Sequence, residues 1–392
     1  MPFLTDRRLA MLIFFLQPVM FGSWLPRIPE IQHALGLGPA GLALALLGLP
    51  IGTLLTLPFA GRIVGRIGSR RAILAGFPLY TLAVCLPAFA PNPVLLFLAL
   101  ILCGGSISFT ELGLNVEADV VEKRSGRLLM STAHGFWSLG IMAGSLAGAL
   151  LGGYGAAAQW AIPLVGIIVL PIALLVARAL PLGETTAAGS AHTPSERMRL
   201  PGWALLGICL FVFGITMTEG AMADWSAIFM RDIMQANTML AGISYTVFAL
   251  LVAVGRFAGD ALKARFTVVP VAQACGALAL VGIAILYVAP NPTIALLGFG
   301  IVGIGVSIGF PLAVSSAAAL TDRPAASSVA TLSFIALVGF LVGPPMIGLV
   351  AELVDIRFGL LALLPFLLLS LILAGRLAPQ MGTTQATVRV AV

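Results

Sequence analysis

Twelve apolar stretches, each long enough to cross a bilayer, dominate this 392-residue chain. Hydrocarbon offers no partner to backbone N–H and C=O groups, so a segment buried in it must satisfy them internally, as a helix does. Such a helix needs about 20 mainly apolar residues. On that rule spans are expected at 9–28, 38–60, 72–90, 93–117, 127–152, 158–180, 203–230, 239–260, 267–289, 292–319, 325–352 and 357–378. With 60% hydrophobic and only 9% charged residues, the composition excludes a soluble globular domain. A mean hydropathy of +1.09 points the same way. The expected fold class is an all-α membrane protein, its twelve transmembrane helices set in two pseudo-symmetric six-helix bundles.

The longest polar interval is 181–201, rich in Pro, Ser, Thr and Gly, which reads as a cytoplasmic linker. It divides the chain into an N-terminal bundle (1–180) and a C-terminal bundle (202–392). His192 belongs to the linker and is expected to be solvated. With the N-terminus inside, all but three of the twenty-one basic residues face the cytoplasm; Arg27, Arg231 and Arg357 face out. That asymmetry places both termini and the linker in the cytoplasm and the protein in the cell membrane. The +6 charge is spread over these short loops, which argues against nucleic acid as a partner. Cys85, Cys103, Cys209 and Cys275 lie singly in apolar segments without CxxC spacing, so neither a disulfide nor a metal site is expected. Arg7-Arg8 before an apolar run has the look of a signal peptide, but no small-residue cleavage site follows, and a retained first span is expected.

Short segments recur in order. Gly61-Arg62-Ile63-Val64-Gly65 returns 194 residues later as Gly255-Arg256-Phe257-Ala258-Gly259, and Ala90-Pro91-Asn92-Pro93 returns 199 later as Ala289-Pro290-Asn291-Pro292. Trp24 and Trp225 are 201 apart. Together these indicate a duplicated half, and parallel halves of this kind hold a substrate between them near the midplane.

An ionisable side chain inside hydrocarbon is a functional candidate by default. Glu111 is expected about 10 Å from the cytoplasmic end of span four, and His134 at a similar depth in the antiparallel span five. Asn115 shares a face with Glu111, and Trp137 shares one with His134. Acid, imidazole, amide and indole on one cavity wall suit a polyhydroxylated solute; the bland alternative is a Glu–His bond locking two helices. Span seven adds Glu219, with Asp224 and Trp225 a turn further out as interfacial groups, and span one adds Gln17, Ser23 and Trp24. The end of span one, Trp24 to Glu30, is expected to form an outer gate. Ser307, Phe310-Pro311 and Ser315-Ser316 of span ten are expected to line the path. Glu117, Asp119 and Glu122 read as surface charges, solvated or paired with Arg62 and Arg66. Gly140, Gly144, Gly148 and Gly152 of span five, and Gly339, Gly343 and Gly348 of span eleven, read as close helix packing. The Gly343-Pro344-Pro345 step is also a candidate bend.

The loop from Gly61 to Arg71 resembles the signature of the major facilitator superfamily, a glycine, three residues, an acid, Arg-x-Gly and then basic residues; here Gly65 stands in the acid's place. The resemblance implies a conformational latch at Gly61, Arg62, Arg66 and Arg70, with Gly255, Arg256 and Asp260 in the second copy. Thr110-Glu111-Leu-Gly-Leu-Asn115, with Ala133-His134-Gly-Phe-Trp-Ser-Leu-Gly140 and the Glu219–Trp225 spacing, resembles the fucose permease branch and its rhizopine permease-like members. That branch carries an acid in span one, which this chain lacks between Asp6 and Glu30. The resemblance implies proton-coupled uptake of a sugar or cyclitol, with Glu111 as proton carrier and His134 or Glu219 in the missing acid's role. Small-molecule substrate-binding residues are then Asn115, His134, Trp137, Glu219, Gln17 and Trp24. No cofactor beyond a proton gradient is expected, and the protein should act as a monomer in the lipid bilayer. The rival expectation is a proton antiporter exporting an amphipathic drug or metabolite; a non-transporting sensor is a third. The chain has no HExxH, GxSxG or nucleotide-binding loop, so an enzyme is not expected.

Overall fold

The computed structural model describes residues 5–126, 129–181, 201–321 and 324–378, with the side chains of Ser131, Asp260 and Ala326 left out. The linker with His192 therefore lies outside the described residues, as does Asp260 beyond its backbone. Among the described residues there are helices and no strands.

Twelve helices meet the length and apolarity of a membrane span. They are α1 (Asp6–Ala34), α2 (Pro39–Ile67), α3 (Ser69–Phe89), α4 (Pro93–Ser125), α5 (Met130–Gly153) and α6 (Ala158–Ala179), then α7 (Trp203–Asp232), α8 (Thr238–Phe266), α9 (Val268–Val288), α10 (Pro292–Ala318), α11 (Ala325–Leu353) and α12 (Ile356–Leu377). Every expected span has its helix. Several helices run past the expected apolar stretch by a turn or more, because intrahelical bonding continues through polar residues wherever the chain does not need to turn.

The first six helices pack as the last six do. In the first set α1 lies on α5 and α6, α2 on α4, and α3 on α4 and α6. In the second, α7 lies on α11 and α12, α8 on α10, and α9 on α10 and α12. Local details repeat too. Asn92 caps α4 by accepting from the Leu95 N–H, and Asn291 caps α10 by accepting from the Ile294 N–H, each at 2.9–3.1 Å and with nearly the same extended backbone. The turn between α2 and α3 passes through Gly68 at φ 84°, and that between α8 and α9 through Thr267 at φ 62°. Both correspondences have an offset of 199, that of the Ala-Pro-Asn-Pro match and not that of the Gly-Arg match. The Gly-Arg-x-x-Gly match at 194 is out of register by five residues, so Arg256 sits a turn and a half deeper in α8 than Arg62 does in α2.

Four spans are interrupted. The turn Leu25–Arg27 bends α1 at Pro26, α2 breaks at Leu47, α10 breaks at Ser307-Ile308, and α12 breaks at 362–363. The Pro344-Pro345 step does not break α11, which is continuous to Leu353. In α1 the Tyr80 hydroxyl donates to the Gln17 carbonyl (2.8 Å) and accepts from the Phe21 N–H (3.0 Å), the two groups that would bond each other in an unbroken helix. Along α5, a methyl group at Gly140, Gly144 or Gly148 would run into the carbonyls of Phe15, Val19 and Ser23, so α1 and α5 meet backbone to backbone.

The halves meet unevenly. At the end carrying Arg27, the first segment of α2 packs on α11, and Glu352 accepts from the Ala40 N–H at its start (3.1 Å). Arg231 of α7 reaches across to the Pro29 carbonyl (2.6 Å) and Gln32 Oε1 (2.7 Å). Mid-membrane, Ser145 of α5 bonds Thr246 of α8 (2.9 Å). Beyond its break α2 hardly touches α11, so these two helices part toward the end carrying Asp6, while α5 still meets α8 there through Phe136 and Phe257.

Candidate functional site

A cavity of about 310 Å³ lies between the halves. Its walls follow helical periodicity. From α7 come Glu219, Gly220, Ala223 and Asp224; from α8, Tyr245, Phe248, Ala249, Val252 and Arg256; from α11, Leu337, Phe340, Leu341, Pro344 and Pro345. Residues spaced three, four, seven and eight apart lie on one face of a helix, so each wall is a single stripe. The N-terminal half contributes Phe21 and Trp24 of α1, Glu111 of α4, Trp137, Ser138 and Ile141 of α5, and a stretch of α2 around its break.

The polar centre of this cavity is Arg256. Its guanidinium donates to Glu219 Oε1 (3.2 Å), to Ser138 Oγ across the interface between the halves (2.6 Å), and to the Ser307 carbonyl (3.3 Å). The Ser307 carbonyl stands at the break in α10, where a helix leaves its last carbonyls without intrahelical partners. One planar cation thus joins α5, α7, α8 and α10. The Arg256 and Glu219 side chains are only 17% and 13% exposed. That pairing is what lets either charge sit so deep.

Glu111 and Asp224 also line the cavity, and neither has a hydrogen-bond or ion-pair partner among the described residues. Trp137 is held by its Nε1–H donating to Gln17 Oε1 (3.0 Å), so Gln17 fixes the indole from behind the wall. Tyr245 stacks on Phe248, ring centroids 5.6 Å apart.

Of the residues singled out from sequence, Glu111, Trp137, Glu219 and Trp24 come together on the cavity. His134 and Asn115 do not line it. Each sits one turn nearer the Asp6 end than its neighbour Ser138 or Glu111, and His134 packs edge-on to Phe14 at 5.6 Å. No Glu111–His134 bond forms among the described residues. Arg256, expected at a cytoplasmic latch, is instead a cavity residue; the register slip of five explains the displacement. Gly255 packs against Ser307 beside it. Gly61, Arg62 and Arg66 stay on the half-exposed α2 end, and Arg70 donates to the Arg178 carbonyl, tying α3 to α6.

Other expectations are corrected by burial. Trp225 is not an interfacial anchor: it is fully buried, its Nε1–H donating to the Pro344 carbonyl (3.2 Å). Asp224, expected further out with it, faces the cavity because the α7 stripe continues past Glu219. The span-ten serines stay off the wall; Ser316 bonds the Leu377 carbonyl. Glu117 is buried and accepts from Ser69 Oγ (2.5 Å), while Glu122 accepts from the N–H groups of Leu129 (2.7 Å) and Met130 (3.2 Å), capping α5. Neither pairs with Arg62 or Arg66, since the helix ends offered nearer donors.

The family model described as Major Facilitator Superfamily matches residues 10–337. This chain belongs to the major facilitator superfamily. An uncharacterised MFS-type transporter of Yersinia pestis is 31% identical over 371 residues, 93% of this chain and 94% of its own. The membrane protein MosC of Rhizobium meliloti is 28% identical, covering 89% and 84%. Among solved structures, the nucleoside transporter NupG superposes with a TM-score of 0.72 at 14% identity, covering 95% of this chain and 98% of its own. FucP in its outward conformation gives 0.64 at 19%, covering 95% and 98%. This facilitator is thus a multi-pass membrane transporter of small molecules and not an enzyme, and the cavity between its halves is where such a protein holds its cargo.

Proposed function

We propose that this facilitator is a proton-coupled symporter of a small polar solute of sugar or cyclitol size, working by alternating access in the cell membrane with both termini cytoplasmic. The carrying observation is Glu111, an unpartnered carboxylate on a cavity shared by the two halves. A carboxylate so placed is stable when it holds a proton, and it gives that proton up when the cavity opens to water. Trp137, fixed by Gln17, offers a flat apolar face for a ring, and the Arg256 guanidinium offers donors for hydroxyl oxygens. The bridged Arg27 end and the parting of α2 from α11 toward the Asp6 end fit the inward-open limb of the cycle. The positive-inside asymmetry supports the same orientation. On this reading His134 and Asn115 border the mouth of the cavity, and the Gly61–Arg70 turn latches the other limb.

The test is alkalinisation of lightly buffered, de-energised cells given a panel of sugars, cyclitols and amino sugars. A pH rise with one compound, lost in Glu111→Gln while counterflow exchange persists, is the expected result. Loss of both processes together would make Glu111 a binding or structural residue instead.

A second reading, export of an amphipathic solute by proton antiport, is favoured by the cavity walls, which are mainly aromatic and aliphatic. Acidification on adding the solute to everted vesicles is its opposite signature.

A further inference from the structure

Four ionisable side chains line the cavity: Glu111, Glu219, Asp224 and Arg256. Arg256 and Glu219 neutralise each other. That leaves two carboxylates, one from each half, with no cationic or donor side chain bonded to them among the described residues. An isolated carboxylate in an enclosed site needs a proton or a cation beside it. Symport of one proton accounts for one of the two. Asp224 is shut in by protein on every side but the cavity, and its remaining exposure is to that space. The same cavity is walled in part by Tyr245 and Phe340, aromatic rings of the kind that attract cations.

We propose that the transported solute carries an ammonium group, with Asp224 as its counter-charge. This deepens the transport reading and rests on it. The two halves then divide the work: Glu111 in the first takes the proton and Asp224 in the second takes the cationic end of the solute. The Arg256–Glu219 pair supplies a neutral, hydrogen-bonding floor between them. An anionic solute would face two carboxylates and no free cation, and a neutral one would leave Asp224 to hold a second proton.

The charge of the cavity can be read without knowing the solute. In full-length protein with the four native cysteines replaced, Ala223→Cys places a thiol beside Asp224 and one turn from Glu219. Its reaction rates with trimethylammonioethyl and sulfonatoethyl methanethiosulfonates are each divided by the rate with a free small thiol. The expected cation-to-anion ratio is at least tenfold, falling at least threefold when Asp224→Asn is added. A ratio near one, or one indifferent to Asp224→Asn, overturns the proposal. Protection of the introduced thiol against the neutral methyl reagent by glucosamine should exceed protection by glucose; equal or better protection by glucose also overturns it. The two readings fail separately. Silence of every solute in the alkalinisation assay would remove the symport reading and leave the reagent ratio standing, whereas a flat ratio would remove the ammonium whatever is transported.

Discussion

At the scale of single residues, Arg256 carries most of what holds the site together. Its three bonds go to three different helices, and a lysine could satisfy one of them but not the fork. Removing one member of a largely buried pair strands the other charge and costs about 3–5 kcal/mol, far more than the net worth of the pair itself. Arg256→Gln should therefore lower the melting temperature of the purified protein sharply, and Glu219→Gln/Arg256→Gln should recover much of the loss. Additive losses in the double variant would show that the two groups do not depend on each other. Arg256→Lys should melt near the wild type yet transport at least tenfold more slowly, because the Ser138 bond across the halves is lost. None of this was legible in the sequence. Arg256 stands in a five-residue match to a surface turn, and a repeat by itself does not report depth. Asp224 was missed for a related reason: counted along the span it lies toward the interface, but the cavity follows the face of α7, not its midpoint. Glu111, Glu219 and Trp137 were legible because a charge or indole in the middle of an apolar run has few structural uses.

At the scale of elements, the spans could be read almost end to end, since the bilayer sets their length and their apolar content. The turns between them could not. The α2–α3 and α8–α9 turns take the same positive-φ path, but one uses Gly68 and the other Thr267, at φ 62°, ψ 174°. That region is essentially confined to glycine and costs other residues about 1–3 kcal/mol. Thr267 caps nothing through its side chain, so the strain has no local compensation. Thr267→Gly should stabilise the protein by about 1 kcal/mol, after allowing for the greater freedom of glycine in the unfolded chain. Gly68→Ala should destabilise it by about as much. A lower melting temperature for Thr267→Gly would mean that packing of the threonine outweighs its backbone. The start of α5 offers a second check. Glu122 accepts two N–H groups that the helix leaves open, and Glu122→Ala should cost about 1 kcal/mol while the exposed Asp119–Lys123 pair can be removed with little effect.

At the scale of the whole molecule, the question is what keeps one end shut. The Arg27 end is closed by two kinds of contact. Arg27 is buried and binds Glu30 together with the carbonyls of Gly148 and Ala156, all within the first half. It braces the end of α1 against α5 and does not cross between halves. Arg231 and Glu352 do cross, to Pro29 and Gln32 and to the Ala40 N–H. Arg231 is part-exposed and Glu352 exposed, so each bridge contributes at most on the order of 1 kcal/mol, which is about a fivefold change in a two-state population. Spin labels at His33 and Leu353, exposed positions at this end on opposite halves, report the separation directly. Arg231→Ala should raise the long-distance population about fivefold, and Glu352→Gln should do the same independently. The combined variant should shift it by about the product of the two, because the bridges lie on different helix pairs and share no partner. Arg27→Ala should act otherwise, loosening α1 against α5 and lowering thermal stability with no matching change in the distance distribution. If Arg231→Ala left the distribution untouched, closure would rest on the apolar packing of α2 against α11, and the same labels with Gly348→Leu, which would drive a side chain into Ala43 and the Pro39 carbonyl, would then open it.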